Sequence, residues 1–127
     1  MAEDRRGLKI KEDGLGEVQI AEEVITIIAG LAATEVEGVC SMGGNITKAL
    51  VSRLGMKNLS KGVRIEVDEE DTVQVYVTIN IAYGYAIPEV SRNVQEKIKS
   101  AIENMTGLEV SGVNVRIADV DMKGAAE

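Results

Sequence analysis

The sequence predicts an α+β fold: a two-layer sandwich of βαββαβ type, with a mostly antiparallel sheet and two helices on one of its faces. Three observations carry this reading. In residues 73–81, Val73, Val75, Val77, Ile79 and Ile81 alternate strictly with Gln74, Tyr76, Thr78 and Asn80. Such alternation marks a strand with one buried and one wet face. Two longer stretches, beginning near Ala21 and Pro88, carry apolar residues at helical spacing. The composition also suits a single aliphatic core, since the 127 residues are 45% hydrophobic and only 2% aromatic.

Each element follows in order. Residues 1–13 are charged and read as a polar tail, and the domain is expected to span 14–122. Glu17-Val18-Gln19-Ile20 is a short extended piece. A helix is predicted from Ala21 to Glu35, with Val24, Ile27, Ile28, Leu31 and Ala32 on one broad face and Glu22, Thr26 and Ala33 opposite. Glu22 and Glu23 suit the positive end of its dipole. Val39-Cys40-Ser41-Met42 reads as a short strand after Gly38. The glycine-rich segment 43–62 reads as a flexible insertion with a short helix near 46–54. Val63, Ile65 and Val67 alternate with Arg64 and Glu66, and the acidic turn Asp68-Glu69-Glu70-Asp71 joins them to the long strand as a hairpin. Pro88 opens the second helix and Gly107 closes it. Its apolar stripe is Val90, Val94, Ile98, Ala101, Ile102 and Met105, with Arg92–Glu96 and Lys99–Glu103 as exposed i,i+4 pairs. A last strand, about Glu109 to Val120, alternates Val113, Val115 and Ile117 with Asn114, Arg116 and Ala118. Residues 123–127 read as a second tail.

Composition excludes several chemistries. The absence of His removes histidine-based triads, histidine metal ligands and a histidine proton shuttle. One Cys forbids an internal disulfide and a cysteine-cluster metal site. A net charge of −7, from 14 basic and 21 acidic residues, opposes general nucleic-acid binding. The apolar run Val24 to Ala33 is about half of a membrane span. With no apolar signal core near the N-terminus, the chain reads as cytoplasmic.

Two blocks of sequence then carry a resemblance. The first is Gly16-Glu17-Val18-Gln19-Ile20-Ala21-Glu22-Glu23-Val24-Ile25, with Ile28-Ala29-Gly30-Leu31-Ala32-Ala33 and Glu35-Val36-Glu37-Gly38-Val39. The second is Tyr83-Gly84, Ile87-Pro88-Glu89-Val90, Val94-Gln95, Met105-Thr106-Gly107-Leu108 and Val113-Asn114-Val115. Together these resemble the alkaline shock protein family, the envelope stress response family of Gram-positive bacteria, over about residues 15–120. The resemblance implies a small cytoplasmic, non-enzymatic protein. In that family some members self-assemble, some are held at the membrane by a separate anchored partner, and some are encoded beside a fatty-acid or dihydroxyacetone-kinase-like protein. It supplies no catalytic residues. Asp119 departs from the pattern at a position often held by glycine.

The candidate sites are weighed against plainer readings. The acidic turn 68–71 has oxygens for a cation but lacks the spacing of a calcium loop, so a solvated turn is preferred. Asp119 and Asp121 share a strand face and read as a strand end. Gly43-Gly44-Asn45, with Lys48, Arg53, Lys57 and Lys61, would suit a phosphate or a KH-like nucleic-acid contact. It has no phosphate-loop spacing, and loop flexibility is preferred. Cys40 beside Val39 reads as a buried strand residue rather than a nucleophile. Glu17, Glu22, Glu23 and Glu35 read as capping and solubilising groups rather than an acid–base pair. Tyr76, Tyr83 and Tyr85 fit strand propensity, and fit a contact surface as well.

The sequence therefore assigns no catalytic, cofactor or metal site. The expected function is an interaction or scaffold protein of the alkaline shock type. It would act by self-association or by docking to a membrane-anchored protein partner, with no insertion of its own. The candidate interface is the open sheet face: Arg64, Glu66, Gln74, Tyr76, Thr78, Asn80, Asn114 and Arg116. The alternatives are a small-ligand accessory to a kinase-like enzyme and, more weakly, a KH-like nucleic-acid module.

Overall fold

The central element of the computed structural model, which describes residues 7–42, 62–68, 70 and 72–122, is a ten-residue strand from Val73 to Ala82. In chain order the elements are β1 (Gly7–Asp13), β2 (Gly16–Ala21), α1 (Glu22–Thr34), β3 (Val39–Met42), β4 (Val63–Val67), β5 (Val73–Ala82), α2 (Ile87–Thr106) and β6 (Val110–Asp121). Along one edge of β5 runs β6, parallel to it from Val73↔Val110 to Ala82↔Asp121. The other edge is shared. β4 pairs antiparallel with residues 73–77, and β3 pairs antiparallel with residues 79–81. The two short strands thus lie end to end on one side of β5.

The pairing follows from the side chains. Val73, Val75, Val77, Ile79 and Ile81 are all buried, and they join Ile25, Ala29, Val94, Ile98 and Ile102 in one core cluster. Each fully buried aliphatic side chain contributes about 1.5–3 kcal/mol, so both helices are drawn onto this face. The expected α+β architecture is the observed one: three strand pairings are antiparallel and one is parallel.

Several expectations are corrected. Residues 7–13, read as tail, form β1, which pairs with β2 around the two-residue turn Gly14-Leu15. The extended piece after Gly16 therefore belongs to a separate two-stranded hairpin, not to the main sheet. Leu8, Ile10 and Ile20 tie that hairpin to the core. Residues 1–6, 43–61 and 123–127, which hold the start of the first expected tail, all of the second and nearly all of the expected insertion, lie outside the described residues.

The helices form as predicted, but the buried face of α1 differs. Ile25, Thr26, Ile28, Ala29, Ala32 and Ala33 are buried, whereas Val24 is 41% exposed. Almost every residue in this helix is apolar or small, so the wheel alone does not choose a face. Close packing does, by turning Ala29, Gly30 and Ala33 inward. The threonines lose no hydrogen bonds by burial, because Thr26 Oγ1 donates to the Glu23 carbonyl at 2.7 Å and Thr34 Oγ1 to the Leu31 carbonyl at 2.8 Å.

In α2 the stripe is Val90, Val94, Ile98, Ile102 and Thr106, while Met105 is 70% exposed. Thr106 Oγ1 donates to the Ile102 carbonyl at 2.7 Å and accepts from the Leu108 N–H at 3.1 Å. This turns the chain out of the helix after Gly107, which is left-handed at φ 78°. Lys99 pairs with Glu103 as expected, but among the described residues Arg92 and Glu96 form no ion pair.

Gly38 joins α1 to β3 at φ +102°, and a Cβ there would lie 2.8 Å from Val90 Cγ2 and 3.0 Å from the Tyr85 ring. Its carbonyl accepts from Ala82 N–H at 2.8 Å. A Gly38→Ala variant is therefore strained in its backbone and crowded by both neighbours. It is expected to lose about 1–3 kcal/mol in chemical denaturation, against a small change for the open Gly14→Ala.

Candidate interaction surface

The even-numbered side chains of β5 face away from both helices, and the flanking strands extend that face. Register places Arg64, Tyr76 and Asn114 in one row across β4, β5 and β6; Glu66, Gln74 and Gly112 form the next. Thr78 lies opposite Arg116. Seven of the eight candidate residues thus lie together on one face: Arg64, Glu66, Gln74, Tyr76, Thr78, Asn114 and Arg116.

Asn80 is the correction, because it is only 8% exposed. Irregularities on both flanks meet at its level. The β3–β5 register shifts between Val39 and Ser41, and the β5–β6 register shifts so that Ala118 is the extra residue before Asp119. The second irregularity is a β-bulge. It falls at Asp119, whose Oδ1 accepts the Val120 N–H at 2.8 Å.

The face is organised by its own contacts. The Arg64 guanidinium lies 4.1 Å from the Tyr76 ring centroid, and it also pairs with Glu66. Tyr76 O–H donates to Glu66 Oε1 at 3.3 Å. Asn114 Nδ2 donates to Gln74 Oε1 at 3.0 Å and to the Val75 carbonyl at 3.1 Å. Gln74 in turn covers Gly112, where a Cβ would meet its Oε1 at 2.8 Å. Between these groups runs a shallow, open groove of about 620 Å³ lined by Arg64, Tyr76, Thr78, Asn114, Arg116 and Ala118. The ring is thus held in place by a cation over its face and a carboxylate at its hydroxyl, which limits the ordering that docking would require.

The other candidates are dispersed. Asp68 is engaged within its own turn: its carboxylate accepts from the Glu70 N–H at 2.9 Å, the Thr72 N–H at 3.0 Å and the Thr72 hydroxyl. The Thr72 hydroxyl, then the Thr72 N–H, hold its pKa below the ordinary carboxylate value. Cys40 is half-buried and donates to the Asn80 carbonyl at 3.4 Å. Glu17 pairs with Lys9 at 3.5 Å in the hairpin, and Glu35 pairs with Lys97 at 3.7 Å at the end of α1, so these carboxylates do not converge. Tyr83 and Tyr85 are exposed in the β5–α2 loop, away from the groove, with Tyr85 O–H directed at Glu37. Among the described residues no group of His, Cys, Asp or Glu is arranged to hold a metal ion. The glycine-rich loop and Lys48, Arg53, Lys57 and Lys61 lie outside the described residues.

One set of polar contacts was not legible in advance. Gln95, Lys99 and Glu103, a single i,i+4 stripe on α2, reach the outer edge of β6. Gln95 Nε2 donates to the Val113 carbonyl at 2.9 Å, and Lys99 Nζ to the Val110 carbonyl at 3.0 Å. Glu103 Oε2 accepts from Val110 N–H at 3.0 Å. That N–H, and then Lys99, lower the Glu103 pKa. The spacing was visible; its target on β6 was not.

Fold and surface together define a two-layer α+β protein whose polar sheet face carries no helix among the described residues. The chain belongs to the alkaline shock protein family, described by a cell envelope-related function, whose profile matches residues 10–122. It is 40% identical over 114 residues to the uncharacterized protein YqhY of Bacillus subtilis strain 168, covering 89% of this chain and 83% of that one. It is 34% identical to YloU of the same organism, over 83% of this chain and 88% of that one. It is 28% identical to a stress response regulator gls24 homolog of Streptococcus pyogenes serotype M3, over 85% of this chain and 60% of that protein. No solved structure matches. Among the described residues no helix is long and apolar enough to cross a membrane.

The Asp68 turn gives a pH prediction. A carboxyl whose folded pKa lies below its unfolded one stabilises above the unfolded value and loses that contribution as pH falls through the folded one. Asp68→Ala should therefore lower the melting temperature near neutral pH, with the gap to the parent chain narrowing as pH falls below the ordinary carboxylate range. Thermal scans across that range measure it; a gap independent of pH would contradict this role for the charge.

Proposed function

We propose that the protein is a non-enzymatic interaction or scaffold protein of the envelope stress response. It docks a protein partner, or a further copy of itself, on the polar face of its sheet. The observation that carries this is the groove between Arg64 and Arg116, whose central ring is already fixed by Arg64 and Glu66. Tyrosine and arginine are the residues that most often anchor protein contacts. A shallow open groove suits a protein segment better than a small substrate, which favours enclosure. The family's envelope-related description supports a partner at the membrane, with this chain peripheral to it.

Size-exclusion chromatography with light scattering, over a range of concentrations, reads self-association; capture from lysate reads a partner. Tyr76→Ala and Arg116→Glu are expected to reduce one or both at least several-fold. Neither side chain is in the core, so stability should change little, by about 0.5 kcal/mol or less for Arg116→Glu. Unchanged assembly and capture in both variants would move the interface off this face. A parent chain that stays monomeric and captures nothing would remove the scaffold reading.

A further inference from the structure

Among the described residues strand β6 pairs with β5 on one side only, and the backbone groups on its outer side are not equally exposed. The N–H and C=O of Val110 are taken by Glu103 and Lys99, and the C=O of Val113 by Gln95. At the far end the bulge at Ala118 breaks the ladder, and Asp119 takes the Val120 N–H. Between these caps the two-residue period of a strand turns the N–H and C=O of Val115 and Ile117 outward as well. Among the described residues nothing caps them. An unpaired strand edge is a template for another strand, and here its open groups are the Val113 N–H and the N–H and C=O of Val115 and Ile117, centred on Arg116.

The charge on this stretch selects the occupant. Arg116 is exposed, sits between the two open residues and forms no ion pair among the described residues; the groove beside it has no acidic residue in its lining. A second copy fits poorly. The antiparallel register that uses both open residues of each copy pairs Val115 with Ile117, and so sets Arg116 directly against Arg116. Like charges in that position oppose pairing. Asp119 and Asp121 lie just beyond, so a long acidic run is disfavoured too.

We infer that Val115–Ile117 accepts a short extended segment of a partner protein as an added strand, with one carboxylate of that segment facing Arg116 between uncharged β-forming neighbours. This rests on reading the sheet as a docking surface, and it adds the mode of pairing and the chemistry of the partner. Backbone pairing would give the affinity, and the carboxylate the register and selectivity.

The test uses the full chain, labelled with ¹⁵N, and the blocked peptide Thr-Val-Glu-Val-Thr with its Lys-for-Glu counterpart. The glutamate peptide is expected to shift the Val115 and Ile117 amides and slow their hydrogen exchange. It should bind at least about threefold better than the lysine peptide, and Arg116→Glu should reverse that order. Shifts confined to Arg64, Tyr76 and Thr78 would overturn the edge pairing while leaving the face as a docking surface. Equal binding of the two peptides, or no response to either, would overturn the inference; partner capture by the unaltered chain would still report on the docking reading by itself.

Discussion

The two-sided alternation of β5 is the constraint on which the rest depends. Its odd-numbered side chains are the floor of the core, and its even-numbered side chains are the middle row of the open face. A slip of one residue would exchange the two sets, burying Gln74, Tyr76 and Thr78 and exposing five aliphatic side chains. Register is held against this from both edges. The parallel partner runs the whole length of the strand, and β4 and β3 divide the opposite edge between them. The outer surface is therefore ordered by the same packing that stabilises the interior.

Helix α2 works on two sides. Its apolar stripe closes the core, while Gln95, Lys99 and Glu103 reach around to the backbone of β6. These contacts bracket the start of the strand and hide part of its edge from solvent and from other chains. Lys99 and Glu103 are more than a surface ion pair, because each also satisfies a backbone group of Val110. Exposed pairs alone contribute little to stability; here the pair also sets how much of the strand edge remains available.

How much could be read in advance varied with how much each local pattern discriminates. β5 was legible because five aliphatic and four polar residues alternate without exception. The limits of α2 were legible because Pro88 and Gly107 act through backbone geometry alone. β1 was hidden because Lys9, Lys11, Glu12 and Asp13 outweigh the alternation of Leu8 and Ile10 in composition. The inward side of α1 was hidden for the opposite reason, since too many of its residues were eligible. For the candidate face, alternation gave the side of seven of the eight residues named. It did not give depth, so Asn80 was placed among exposed residues although irregular register on both sides leaves it buried. The caps that α2 places on β6 cross from one element to another, and no pattern within either element reports such a contact.

The arrangement of β3 and β4 bears on the connection between them. Met42 is paired opposite Ile79 and Val63 opposite Val77, two positions about 7 Å apart along one strand at the usual rise per residue. Whatever joins them starts and finishes at almost the same point. Closing a longer connection costs only about 0.6 kcal/mol for each doubling of its length. A change in the length of that connection therefore carries only a small closure cost of its own, because β5 holds both of its ends side by side.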